Sequence, residues 1–169
     1  MPHLIRAYVR IVDRVSDYVG YLAASLIFLM VATLLLDAVT RNVLNIPIHW
    51  AIEFTQFTLA AYYFMGGPIT LKNNEHVRMD LWYANMSDRG KAKLDLVTVW
   101  CMIFYLGVML WGSISSLQYA IDTNERRFSM WNPSTIPIKA LLTVCLVLML
   151  LQAFALVFKH VATLRGERI

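Results

Sequence analysis

Charge is scarce in this chain: only 15% of its 169 residues are Asp, Glu, Lys or Arg, against 59% hydrophobic residues. An average soluble domain carries roughly 25% charged and 45 to 50% apolar residues, so a water-exposed globule is excluded. Histidine is as sparse. The four, His3, His49, His76 and His160, all lie outside or at the edge of the apolar runs. Haem ligation inside a bundle needs histidines within the spans, and they are absent there. There is no CxxC, HExxH, Walker or dinucleotide-binding pattern, and no pair of carboxylates at mid-run. Metal catalysis, nucleotide chemistry and intramembrane proton relays therefore find no residues to carry them. The two cysteines, Cys101 and Cys145, fall in apolar runs as small hydrophobic side chains, and no disulfide is expected.

What is present is a set of long charge-free runs. Tyr18 to Leu36, Phe54 to Leu71, Leu96 to Ile121 and Ala140 to Phe158 hold 19, 18, 26 and 19 residues. A helix needs about 20 residues to cross a hydrocarbon core of about 30 Å. The expected fold is all-α: an integral membrane protein with one membrane domain over residues 1–169 and four transmembrane helices at about 18–40, 47–71, 94–121 and 136–158. The third run is about 39 Å long as a helix and is expected to tilt or to project.

Residues 1–17 do not resemble a cleavable leader, because Arg6, Arg10, Arg14, Asp13 and Asp17 fill them. Leu4, Ile5, Tyr8, Val12 and Val15 recur at helical spacing beside the arginine row. That predicts an amphipathic helix in the membrane interface, or equally a plain extension of the first span. A second amphipathic stretch is expected in the loop after Lys72, where Val77, Met79, Leu81 and Trp82 alternate with His76, Arg78 and Asp80. With both termini cytoplasmic, 11 of the 15 Lys and Arg lie on the inner side, as the positive-inside rule requires. The net charge of +4 is thus explained by topology without any nucleic acid partner.

Candidate site residues cluster near boundaries. Asp37 and Arg41 are one turn apart on the first span, and Glu53 opens the second. An ion pair between Arg41 and Glu53 that fixes the hairpin angle is preferred over a substrate or partner contact. Trp50 marks the interface, and Trp131 another span end. His76 and Asp80 form a second i, i+4 pair, read either as one hydrogen-bonded unit or as a solvated face. Gly66 and Gly67 suggest close helix packing. Arg126 and Arg127 are exposed-loop candidates for docking an acidic partner surface, and Ser134 or Thr135 is expected to cap the fourth span.

The order Arg41, Trp50, Glu53, Gly66, Gly67, His76 and Asp80, followed by "WNPSTIPIKALLTV" at 131–144, resembles the small membrane subunit of tripartite ATP-independent periplasmic (TRAP) transporters. The resemblance implies a non-catalytic inner-membrane protein in a permanent complex with a large multi-span transport subunit. It also implies a periplasmic substrate-binding protein that delivers an organic acid such as a dicarboxylate or sialic acid, and import driven by Na+ bound to the large subunit. No cofactor is expected on this chain. Two other classes fit a four-span protein of this size: a membrane anchor of a respiratory redox enzyme, and a small self-sufficient homo-oligomeric transporter.

Overall fold

The computed structural model describes residues 3–73 and 88–164. These residues form four helices: α1 (His3–Val43), α2 (His49–Lys72), α3 (Asp88–Asp122) and α4 (Ile136–Leu164). No extended strand occurs among the described residues, only a single bridge between Arg126 and Ser134.

α1 is 41 residues long, about 60 Å at 1.5 Å per residue, roughly twice a hydrocarbon core. Of the two readings of residues 3–17, an interfacial helix or an extension of the first span, the second describes them: they are the first turns of α1, with no break at residue 17. The reason lies in one buried stripe. Val9, Val12, Ser16, Gly20 and Ala23 are buried at steps of three and four residues, the helical period that keeps a single face against its neighbours. That stripe crosses the expected boundary without interruption. The basic row lies on another face and does not interrupt it.

Among the described residues, three helices have the length and composition to cross a membrane: Ile5–Val43, Leu94–Asp122 and Ile136–Ala162. α2, expected to span as residues 47–71, has 24 residues, but its apolar stretch is diluted by threonines, Gln56, two glycines and Pro68. Its hydroxyls are absorbed locally. Thr55 Oγ1 donates to the Ala51 carbonyl at 2.8 Å, and Thr58 Oγ1 to the Phe54 carbonyl at the same distance. Back-bonding of this kind hides a polar atom from an apolar neighbour. The loop that holds His76, Asp80 and Trp82 lies outside the described residues.

α4 is the centre of the assembly, packed against α1, α2 and α3. Its Ala153, Ala155, Leu156 and Gln152 are almost completely buried. Leu146 and Ala153 pack with Leu106 of α3, while Leu156 meets Leu71 of α2 and Val99 of α3. Between α3 and α4 the hydroxyls of Ser113 and Thr143 lie 2.7 Å apart, one polar pair inside an apolar seam. Cys101 and Cys145 are free thiols.

α1 and α3 leave long apolar faces uncovered. Tyr18, Tyr21, Phe28 and Leu35 are exposed on α1, and Trp100, Phe104, Tyr105 and Trp111 on α3. The chain's accessible surface is 11423 Å², where a compact soluble monomer of 19.4 kDa would show about 8,500 Å². Far more apolar surface faces outward than water tolerates.

Two glycines leave no room for a side chain of their own at helix contacts. A Cβ built on Gly20 of α1 would lie 2.5 Å from Ile69 Cδ1 and 3.0 Å from Ile69 Cβ; one on Gly67 of α2 would lie 2.6 Å from Met149 Sδ of α4. Gly66 meets nothing within 4 Å, so of the expected packing pair only Gly67 is used for close contact. Gly20→Leu is expected to destabilise the purified protein by about 1–3 kcal/mol through overpacking. Gly66→Ala is expected to be neutral or slightly stabilising, because Ala is the better helix former. Thermal unfolding of both variants in one detergent checks the contrast.

Candidate functional site

Polar side chains gather at two ends of the bundle. The loop end holds residues 44–48 and 123–135; the termini end joins the start of α1 to the ends of α2 and α4 and the start of α3.

At the loop end, Asp37 has a carboxylate that is nearly buried. Arg41 Nη2 donates to its Oδ2 at 3.1 Å, as the i, i+4 spacing predicts. Its other oxygen accepts the Ile48 backbone N–H at 3.3 Å. Ile48 precedes α2 in an extended conformation and offers no side-chain cap. Asp37 therefore anchors the α2 entry from the neighbouring helix, which satisfies one of the donors that a helix start leaves open. The turn itself uses Asn45 at φ 55°, a left-handed conformation that Asn tolerates better than most residues. The Thr40 carbonyl accepts from Leu44 and Ile46 at 3.1 and 3.2 Å, folding the chain back over the end of α1.

Glu53 does not pair with Arg41. Its Oε2 accepts the Ser129 hydroxyl at 2.7 Å. The Ser129 oxygen also accepts the Asn132 N–H at 3.1 Å. α2 begins at His49, close to the expected start at residue 47, so Glu53 does not open the helix but lies beyond its first turn, where the helix dipole gives little. Its role is to hold the α3–α4 loop. Trp50 supports the same loop, with its ring centroid 6.5 Å from that of Trp131 and 6.0 Å from that of Phe54.

That loop is a small folded hairpin. The Arg127 N–H donates to the Pro133 carbonyl at 3.0 Å, and both the N–H and the hydroxyl of Thr135 donate to the Glu125 carbonyl at 3.1 Å. Lys139 on the first turn of α4 forms an ion pair with the Glu125 carboxylate. Asn124 and Asn132, at φ 46° and 50°, make its two reversals. Of the two expected caps for α4, the Thr135 hydroxyl is spent on Glu125, while Ser134 Oγ accepts the Ile136 N–H at a long 3.4 Å. The tip presents Arg126, Arg127, Phe128 and Met130, with Phe128 fully exposed. Behind it lies an open groove of about 670 Å³ bounded by Leu26, Phe54, Phe57, Trp131 and Pro137.

The termini end holds charges whose pairing the sequence does not announce. Asp13 of α1 accepts from Lys159 Nζ at 2.9 and 3.0 Å and from Gln152 Nε2 at 2.8 Å, both on α4. Ser16 donates to Gln152 Oε1 at 3.1 Å, and the Tyr8 hydroxyl donates to the Leu151 carbonyl at 2.9 Å. Asp17 pairs with Lys72 of α2. Asp95 of α3 lies 3.8 Å from His160 of α4. Position is the one signal that could have found them: Lys72 and Lys159 are the first charges after long apolar runs, and charges there usually pair with one another.

The arrangement offers hydrogen bonding, ion pairing and apolar contact. Among the described residues no three His, Cys, Asp or Glu come together to hold a metal ion. The Glu53 to Ser129 contact makes a definite prediction. Glu53→Ala and Ser129→Ala should each destabilise the protein by about 1–2 kcal/mol, and the double variant by less than their sum. A cycle between Arg41 and Glu53 should give a coupling energy near zero. Denaturation of the purified variants in a common detergent measures both.

Neither a curated protein nor a solved structure is similar enough to the chain to count as a match. A family model does match, over residues 30–163: tripartite ATP-independent periplasmic transporters, DctQ component. It takes in α2, α3, nearly all of α4 and the last turns of α1, with Asp37, Arg41, Trp50, Glu53 and the α3–α4 hairpin inside it. The chain belongs to the DctQ family, the small membrane component of TRAP transporters.

Proposed function

We propose that the chain is the non-catalytic small subunit of a Na+-coupled importer of organic acid carboxylates in a bacterial inner membrane. In this reading all four helices cross the bilayer, α2 included, with both termini cytoplasmic and the loop end periplasmic. The large subunit carries Na+ and solute and moves as an elevator. This chain is its fixed frame.

One observation carries the proposal: the buried polar groups along the helices are consumed inside the chain, while large apolar faces are turned outward. Thr33, Thr55 and Thr58 bond their own helix carbonyls. Ser113 meets Thr143, and Gln152 meets Ser16 and Asp13. A solute crossing a membrane needs polar groups free to replace its hydration shell. The buried ones are spent here on helix contacts, and exposed ones such as Gln56, Ser115, Ser116 and Gln118 are few, so the work left for the chain is contact through the exposed faces of α1 and α3. A static frame must also resist being dragged by a moving partner. The length of α1 and the outward aromatic rows enlarge its grip on lipid and on the large subunit.

On the periplasmic side, the rigid hairpin tip offers two arginines beside an exposed aromatic and a methionine. It suits an acidic surface of the substrate-binding protein with a shallow apolar notch.

Co-expression with the adjacent transporter genes tests the assignment. The expected outcome is co-purification of a large multi-span subunit. Na+-driven uptake of a carboxylate in liposomes should require both membrane subunits and the binding protein, and uptake by this chain alone would defeat the scaffold reading. Arg126→Glu with Arg127→Glu should weaken binding-protein docking about tenfold or more at low salt and less at high salt, since exposed charges are screened within about 8 Å at physiological ionic strength. Docking measured against ionic strength, with assembly of the membrane subunits as the control, checks it.

A further inference from the structure

The first turns of α1 carry Arg6, Arg10 and Arg14 four residues apart, so the three climb one ridge at about 6 Å per step. All three are exposed, and with Val9 and Lys159 they line an open groove of about 560 Å³. Asp13 and Asp17 also line it. Each of these carboxylates is already engaged from another helix, Asp13 by Lys159 at 2.9 Å and Asp17 by Lys72. None of the three arginines pairs with a carboxylate among the described residues. The groove therefore keeps about three uncompensated positive charges within little more than two turns. Like charges at this spacing repel, and a bound anion relieves the repulsion.

The ridge does not stop at Arg14. The next two residues at the same four-residue step are Tyr18 and Leu22, 70% and 53% exposed. Basic surface thus runs directly into apolar surface along one helix. Guanidinium groups form bidentate hydrogen bonds with phosphate oxygens, and Tyr18 and Leu22 continue where a hydrocarbon chain would lie. An acidic segment of a partner protein would satisfy the arginines and leave the apolar half of the ridge unused.

We propose that this ridge is a binding site for an anionic phospholipid, with its phosphate on Arg6, Arg10 and Arg14 and an acyl chain along Tyr18 and Leu22. The lipid supplies the counter-charge that the chain's own carboxylates, held by Lys72 and Lys159, do not. It would also fix the outer face of α1 to the bilayer at the end opposite the hairpin.

The test uses the full chain in a non-ionic detergent, titrated with phosphatidylglycerol, cardiolipin or phosphatidylcholine and read by native mass spectrometry. The two anionic lipids should bind at least about tenfold tighter than phosphatidylcholine. Changing Arg6, Arg10 and Arg14 together to Gln should weaken phosphatidylglycerol binding roughly 100-fold, the loss expected from three basic residues beside a headgroup. Arg126→Gln with Arg127→Gln should leave it unchanged. Tyr18→Gln with Leu22→Gln keeps the arginines and should still lower lipid affinity, which covers the case of a triple variant that fails to fold. Glycerol phosphate should compete only weakly. Equal retention of phosphatidylglycerol and phosphatidylcholine, or unchanged binding in the triple Gln variant, would overturn the proposal. So would glycerol phosphate binding as tightly as the lipid, or an acidic peptide displacing it at lower concentration. Because the measurement is made in detergent, a role of these arginines in setting topology alone predicts no lipid selectivity.

Discussion

The contact on which the arrangement depends is the one that Asp13 makes with α4. A carboxylate on the first turns of α1 takes three hydrogen bonds from Gln152 and Lys159, and Ser16 closes the array on a Gln152 that has no exposed surface. Removing one member of a buried ionic pair costs about 3–5 kcal/mol. Here Lys159 and Asp13 keep 31% and 22% side-chain exposure, so solvent screening reduces that figure. Gln152 is different. Its amide is wholly enclosed, and without Asp13 and Ser16 both of its ends would be buried unsatisfied, the costly case. The contact also decides where α1 runs. It holds the amino-terminal turns against the last turns of α4, so the buried stripe from Val9 to Ala23 continues without a break.

From that anchor the other polar closures follow a pattern. Lys72 ties α2 to Asp17, and His160 reaches toward Asp95 on α3. At the opposite end Asp37 holds the start of α2, and Glu53 holds the hairpin between α3 and α4. Between the two ends the seams are apolar and tight, with Gly20 and Gly67 admitting side chains from facing helices. Polar specificity at the ends fixes register, while small residues between them set distance. Such a division suits a medium in which apolar contact distinguishes poorly between helix and lipid.

The charge-free runs made the helices legible, because hydrocarbon and core both select for length and for absence of charge. The helix ends were less so. α2 starts at His49, within two residues of the expected 47 and ahead of the charge-free run, because Trp50 and Ile52 extend the helix and Asp37 supplies a partner from outside the segment. The continuity of α1 was only half legible: its basic row left an interfacial helix and an extension of the first span equally open, and the deciding signal lay on a different face at Val9, Val12 and Ser16. The pairing of Asp37 with Arg41 could be read from spacing, whereas that of Glu53 with Ser129 joins residues 76 positions apart. Nothing local encodes it. Arg41 was the nearest opposite charge along the chain, yet Asp37 one turn away holds it, and Glu53 is left to accept a neutral hydroxyl from a distant loop.

A frame of the kind proposed needs two properties that usually oppose one another: it must be stiff inside and adhesive outside. In water the exposed faces of α1 and α3 would drive aggregation, and the chain could not keep them open. In a bilayer the same faces cost little, and a partner's apolar helices can cover them without displacing ordered water. Stiffness then cannot come from hydrophobic collapse, because lipid competes equally for apolar surface. It has to come from directed interactions that lipid cannot imitate. Asp13 with Gln152 and Lys159, Asp37 with the Ile48 N–H, and Glu53 with Ser129 are of that kind. Their placement at the ends, where water still lowers the cost of a charge, leaves the long middle of each outer helix free of charge. The exposed faces of α1 and α3 are therefore free to serve as adhesive surface because the directed contacts elsewhere hold the four helices in register.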